Sequence, residues 1–143
     1  MVRSADTVLG SKRSAQMRRV RRHGTAPELL LRSLLRGMGI RYQCNCADLP
    51  GRPDLANRVK GWAIFVHGCF WHGHRRCRRS SRLRPKTNGT WWADKIEANR
   101  SRDSRKSREL RRSGMRVLVV WECALRDPEK VRGAVLQFLD DRR

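Results

Sequence analysis

Acidic residues are scarce in this chain. Against 34 Lys and Arg there are only 13 Asp and Glu in 143 residues, a net charge of +21. A compact body with that excess repels itself unless a polyanion lies against it, so nucleic acid is the leading partner, its phosphates and released counterions rewarding the charge. Long apolar runs are missing too. WAIFV at 62–66 and MRVLVVW at 115–121 fall far short of the roughly 20 residues a bilayer-spanning helix needs. No clean amphipathic basic helix offers itself to an anionic membrane, which ranks far below nucleic acid. The first residues lack the apolar core of a secretory signal. The expected location is therefore the cytoplasm, at the nucleoid, and the five cysteines read as metal ligands or thiols rather than disulfides. Internal repeats and low-complexity domains are absent, and the length suits one domain with a real core rather than two.

Residues 1–24 read as a basic N-terminal arm. Within it SKRSAQMRRVRR, at 11–22, has the pattern of a short helix with little to bury. It is either a solvated tail or a segment that orders against DNA. The remainder, 25–143, reads as a single domain. Thr25-Ala26-Pro27-Glu28 has the spacing of a capping box, with Thr25 accepting from the amide three residues on and Glu28 reaching back to it. Leu30, Leu31, Leu34, Leu35 and Met38 then mark one helix face, stopped by Gly39. Residues 40–46 suggest a strand, with Cys44 and Cys46 as packing cysteines. LPGRPD at 49–54 is a turn delivering Asp54 to a strand, and 55–61 a hairpin leading into a buried strand at 62–66. The basic, breaker-rich stretch 75–90 is a loop. Residues 91–113 form one long polar helix with Trp92, Ile96, Asn99, Asp103 and Leu110 on a shared side, ended by Gly114. MRVLVVW is a strand of the kind buried on both faces. Asp127 and Pro128 open a last helix with Val131, Val135, Leu136 and Leu139 inward. The order predicts an α/β layer fold, a central sheet flanked by helices.

The run FVHGCFWHGHRRC, 65–77, concentrates the chemistry. Cys69, His74 and Cys77 give C-x4-H-x2-C, and Cys123, just past the apolar strand, is the best fourth donor. Such a closed N/S set suits a structural zinc. The plain alternative is buried thiols, but the short spacing and a basic loop in need of a staple favour the metal. Asp54 starts one strand while Val66 and His67 end its neighbour. Adjacent strands can bring a carboxylate and the Val66 backbone carbonyl to one magnesium ion, with Glu28 binding a metal-held water. Asp54 as a turn cap and Glu28 as a mere capping-box partner remain open readings beside it. Phosphodiester cleavage needs an activated water and charge neutralisation. Neutral His67 and His72 suit that chemistry, with Asp103 as the orienting carboxylate. Phe70, Trp71, Trp91 and Trp92 are either core or wedges that kink a duplex, while Trp62 and Trp121 read as core.

RSAQM at 13–17, TAPE at 25–28, LPGRPD at 49–54, FVHGCFWH at 65–72, WWADKIEAN at 91–99 and RVLVVWECAL at 116–125 run in order through nearly the whole chain. In these stretches it resembles the very-short-patch repair endonucleases. The resemblance implies a restriction-endonuclease-like α/β fold with a central mixed sheet and one structural zinc site. It implies a monomeric, magnesium-dependent enzyme that nicks one strand of double-stranded DNA 5′ of the thymine in a T:G mismatch, the lesion left when 5-methylcytosine deaminates. A functional link to a cytosine-5 DNA methyltransferase goes with that lesion. Carried onto this sequence, Asp54 and the Val66 carbonyl are magnesium ligands, His72 is the general base oriented by Asp103, His67 lies at the scissile phosphate, and Glu28 holds metal-bound water. Cys69, His74, Cys77 and Cys123 match the zinc ligands. Phe70, Trp71 and Trp92 match the wedge, Met17 enters from the other groove, and Lys95 and Asn99 match polar contacts near the mismatch.

Three positions depart from the family pattern. Val66 stands where threonine is frequent, the His74–Cys77 linker is one residue longer, and His67 stands where the wider fold family usually has lysine. Two rival readings share the charge and the metal-type residues. A non-catalytic zinc-stapled DNA-binding protein would leave Asp54, His72 and Asp103 without a task. A related nuclease of other specificity would keep them.

Overall fold

A computed structural model describes residues 24–74, 77 and 89–141. The basic arm with Met17, and most of the loop expected at 75–90, lie outside the described residues. Among these, no helix is long and apolar enough to cross a membrane.

Helix α1 spans Ala26–Gly37; strand β1 Gln43–Cys44; β2 Leu55–Asn57; β3 Trp62–His67; helix α2 Gly89–Arg112; β4 Arg116–Trp121; a 3-10 turn Glu122–Arg126; and helix α3 Pro128–Asp140. The sheet order is β1-β2-β3-β4. The first two pairings are antiparallel and β3–β4 is parallel, so the sheet is mixed. Parallel neighbours cannot be joined by a tight turn. The crossover here includes α2, which lies against β4 on one face of the sheet.

Period-two alternation along β3 divides the molecule into layers. Trp62 and Ile64 point into a core shared with Leu31 and Leu35 of α1 and Val131 and Val135 of α3. Ala63 and Phe65 point the other way, toward Leu110 of α2. The same parity places His67 on the α2 side. It also does so for Val117 and Val119 of β4, and hence for Trp121.

Several local expectations change. Thr25 makes no side-chain cap. Glu28 does reach back, but to the Gly24 amide at 2.8 Å rather than to Thr25, so neither bond of the capping box forms. On α1 the buried stripe is Leu31 and Leu35, four apart, while Leu30, a 100° step away, is exposed. Leu136 of α3 is exposed for the same reason beside buried Val135. The strand expected at 40–46 shortens to two residues. Asn45 takes a left-handed φ of 49° that ends it, and the Arg41 carbonyl accepts instead from the Asn57 amide group at 3.2 Å. Cys46 is buried as expected, but Cys44 is exposed. Strand β4 is mostly half-buried rather than covered on both faces, because it is the edge of the sheet among the described residues.

Ile64 is fully buried at the sheet centre. Ile64→Ala should cost roughly 2–5 kcal/mol, measured as a lower denaturation midpoint at unchanged slope.

Candidate active site

The residues after β3 fold back over its end. His72 N donates to Gly68 O at 3.1 Å, Gly73 N to Phe70 O at 3.2 Å, and His74 N to Cys69 O at 2.9 Å. This tight turn lays the His72 ring on that of His67, with centroids 4.0 Å apart and planes within 4°. Gly73 makes the fit possible. It has φ +61°, and a Cβ there would lie 2.5 Å from Ile96 Cγ2 and 2.7 Å from Arg100 Cδ. Only glycine lets the turn seat against α2.

Asp103, on the sheet-facing side of α2, approaches His72 Nδ1 at 2.5 Å through Oδ2. An ionised carboxylate only accepts, so Nδ1 carries the proton and Nε2 is left with the basic lone pair. His67 is 6% exposed, edged by Trp121 at 5.2 Å. Burial first, then His72, hold its pKa down to about 4, so it is neutral at physiological pH.

Asp54 arrives on the neighbouring strand. Leu55 pairs with Ile64, so Asp54 stands at the end of β3. Its Oδ2 accepts from the Val66 amide at 2.6 Å. Burial pushes Asp54 up to about 6, with the Val66 bond opposing and Glu28 adding to the rise. Glu28 is 1% exposed, and its Oε1 accepts from Arg32 Nη2 at 2.6 Å. Two neighbouring carboxylates thus have one arginine nearby, and it is paired with Glu28. Their hard oxygen donors suit a divalent cation such as magnesium.

A third group lies behind. Ligand atoms of Cys69, His74, Cys77 and Cys123 all fall within 4.8 Å of one another. Tetrahedral zinc with bonds of about 2.3 Å sets sulfurs about 3.8 Å apart, so the four donors fit a metal with little adjustment. Parallel pairing makes this possible, since β3 and β4 end at the same edge and deliver Cys69 and Cys123 together. Burial, above all, pushes the Cys69 thiol up to about 12, so a thiolate there needs a cation beside it. None of the five cysteines forms a disulfide. His67, His72 and Asp103 also bring their ligand atoms within 4.8 Å. There the stacked rings aim their lone pairs along parallel planes, and His72 Nδ1 is engaged by Asp103. That set reads as an oriented base rather than a metal cage.

Phe70, Trp71 and Trp92 form an aromatic cluster with ring centroids 5.1 to 5.7 Å apart. Trp92 is 8% exposed and its buried Nε1 has no hydrogen-bond partner among the described residues, whereas Trp91, edge-on to it, is 50% exposed. Lys95 is exposed. The Asn99 amide donates to Trp71 O at 2.8 Å, tying the turn to α2.

Two residues gained a place that sequence reasoning had not given them. Trp121, read as core, is half-buried and stacks on His74 at 4.2 Å while touching His67. Its parity with His67 in the parallel register was the available signal. Arg32 neutralises Glu28, which the i,i+4 spacing would have indicated.

The family model for the DNA mismatch endonuclease Vsr matches residues 5–79. The type II nicking enzyme V.XorIIP of Xanthomonas oryzae pv. oryzae is 42% identical over 135 residues, covering 94% of this chain and 97% of that protein. The DNA mismatch endonuclease Vsr of Escherichia coli strain K12 is 42% identical over 132 residues, 92% of this chain and 83% of its own. The type II nicking enzyme V.NmeAIP of Neisseria meningitidis serogroup A is 38% identical over 122 residues, 85% of each.

A raised Asp54 pKa means the folded state disfavours the ionised form. Folding carries that penalty above pH 6 and sheds it between pH 6 and 4, as the proton returns. Without magnesium, Asp54→Asn should therefore raise stability at pH 7 by up to about 3 kcal/mol, and by almost nothing near pH 3.5. Thermal or urea unfolding at the two pH values measures it. The Cys3His group should hold about one zinc per chain. Cys123→Ser should lose that metal and much of the fold with it; metal analysis and circular dichroism read both, and folded wild-type protein without zinc would refute the assignment.

Proposed function

The chain belongs to the DNA mismatch endonuclease Vsr family, and on that footing, as a DNA nicking endonuclease, we propose that it cuts one strand of duplex DNA 5′ of the thymine in a T:G mismatch, by magnesium-assisted hydrolysis. The observation that carries the reading is the oriented His72–Asp103 pair beside the half-buried Asp54 carboxylate, at the shared end of paired strands.

In this reading Asp54 and the Val66 backbone carbonyl would hold magnesium, and Glu28 would steady a water beside it. The ion, when bound, supplies charge neutralisation and a more acidic water. The protein's own groups do the rest. Asp103 keeps the His72 proton on Nδ1, so Nε2 faces outward as general base and takes the proton of the attacking water. His67, neutral and pinned between Phe65, Trp121 and His72, meets the scissile phosphate as a hydrogen-bonding group without adding charge.

Cys69, His74, Cys77 and Cys123 hold a structural zinc that fixes the turn carrying His72. Phe70, Trp71 and Trp92 form the wedge at the mismatch, with Met17 from the arm in the opposite groove and Lys95 and Asn99 close by. Since Trp92 is buried and the Asn99 amide engaged, both act partly by shaping the turn that presents Phe70 and Trp71. The layered mixed sheet supports a restriction-endonuclease-like fold. Residues 25–143 form the endonuclease domain and 1–24 an arm for DNA. The enzyme acts as a monomer, linked in function to a cytosine-5 DNA methyltransferase whose product deaminates to this mismatch.

Asp54→Ala should lower nicking of a T:G duplex by at least about a thousandfold, and His72→Ala by about 10²–10⁴-fold, while duplex binding survives in both. Because a proton on Asp54 competes with the cation, wild-type nicking should fall as pH drops through about 6, some two units above an ordinary aspartate. Matched and differently mismatched duplexes, assayed beside T:G, test the specificity. Full activity of Asp54→Ala would overturn the mechanism.

A further inference from the structure

A groove of about 820 Å³ opens from the His67–His72 pair and runs between α2 and β4. Its α2 wall is Arg100, Ser101, Ser104, Ser107, Arg108 and Arg111, and Val119 and Trp121 of β4 border it. The spacing 100, 104, 107, 111 keeps these residues on one helical face. The groove exists because β4 is an edge strand whose α2 side is only half covered.

The charges are arranged for a ligand. Arg100 pairs with Glu97 at 3.5 Å, and Asp103 is taken by His72. Arg108 and Arg111 have no ion pair among the described residues, and the three serines have no side-chain hydrogen bond across the groove. Guanidinium groups and hydroxyls are the donors that grip phosphate oxygens. From Asp103 to Arg111 the helix advances about 12 Å, the axial rise of three to four nucleotides at about 3.4 Å each. The groove is continuous with the histidine pair, so a strand lying in it is the one being cut.

We propose that this groove is the track for the cut strand, gripping three to four nucleotides of its phosphodiester backbone on one side of the nick. The assignment rests on the reading of the histidine site as a nicking centre. It makes Arg108 and Arg111 positioning residues that hold the scissile strand in register and retain the nicked product.

The test uses the full chain with its metals. Binding of the nicked T:G duplex is measured against salt for the wild type, for Arg108→Gln/Arg111→Gln, and for Arg102→Gln/Arg105→Gln, which lie on α2 outside the groove. Loss of two phosphate contacts should flatten the log K against log salt slope by about 1.8 in the first variant and leave it unchanged in the second. Trimming four nucleotides from one side of the nick should weaken wild-type binding and leave the Arg108/Arg111 variant nearly indifferent. A variant with the wild-type slope, or an equal loss in the Arg102/Arg105 pair, overturns the groove assignment while nicking by the wild type still stands. A wild-type chain that cannot nick a T:G duplex with magnesium overturns the nicking reading and this assignment together.

Discussion

Parallel pairing of β3 with β4 sets His67 opposite Trp121 and ends both strands at the same edge. From that register the site follows. The turn after β3 and the 3-10 turn after β4 start side by side, so Cys69 and Cys123 meet although 53 residues separate them in sequence. The crossover that a parallel pair requires contains α2, which supplies Asp103 on the face where alternation has put His67. Antiparallel pairing of the same strands would send Cys123 to the opposite edge and break the four-donor set.

Much of this was legible because periodicity is a local property. The burial of Ile64 and Leu35, the end of α2 at Gly114, and the Asp127 cap on α3 follow from spacing and side-chain chemistry. The Cys69, His74 and Cys77 spacing singled out a set of metal-type donors that the structure does bring together, and Cys123 stood out because it follows an apolar strand. What was not legible depends on neighbours remote in sequence. No spacing rule links His72 to Asp103 across 31 residues: Asp103 stood out only as a carboxylate on the long helix, and the family resemblance attached it to His72. The half-exposure of β4 required knowing that it is an edge. Trp121 read as core because its strand is apolar, yet its place at the end of that strand turns it into a wall between two sites.

That wall joins the two sites mechanically. One face of the Trp121 ring stacks on His74, a member of the four-donor set, while His67 packs at its edge. His67 in turn underlies His72, whose Nδ1 is held by Asp103. Stacked rings in a packed interior transmit small displacements rather than absorbing them. Whatever fixes His74 therefore fixes the plane of the His72 ring, and a glycine at 73 lets the connecting turn lie flat on α2.

The scarcity of acidic residues gains its meaning at the same place. In a field of +21, carboxylates should ionise more readily than usual. Asp54 does the opposite, because burial and the nearby Glu28 outweigh every distant arginine and the close Arg32. The molecule thus combines a surface that attracts polyanion with a small sequestered spot that is short of positive charge. Distant charges act through water and are screened within about 8–10 Å at physiological salt; the carboxylates interact through protein, where screening is weak. The two fields therefore coexist within one small domain. One suits the polyanionic backbone of DNA, and the other is a small spot, poor in positive charge, where Asp54 lies against the Val66 amide and close to Glu28.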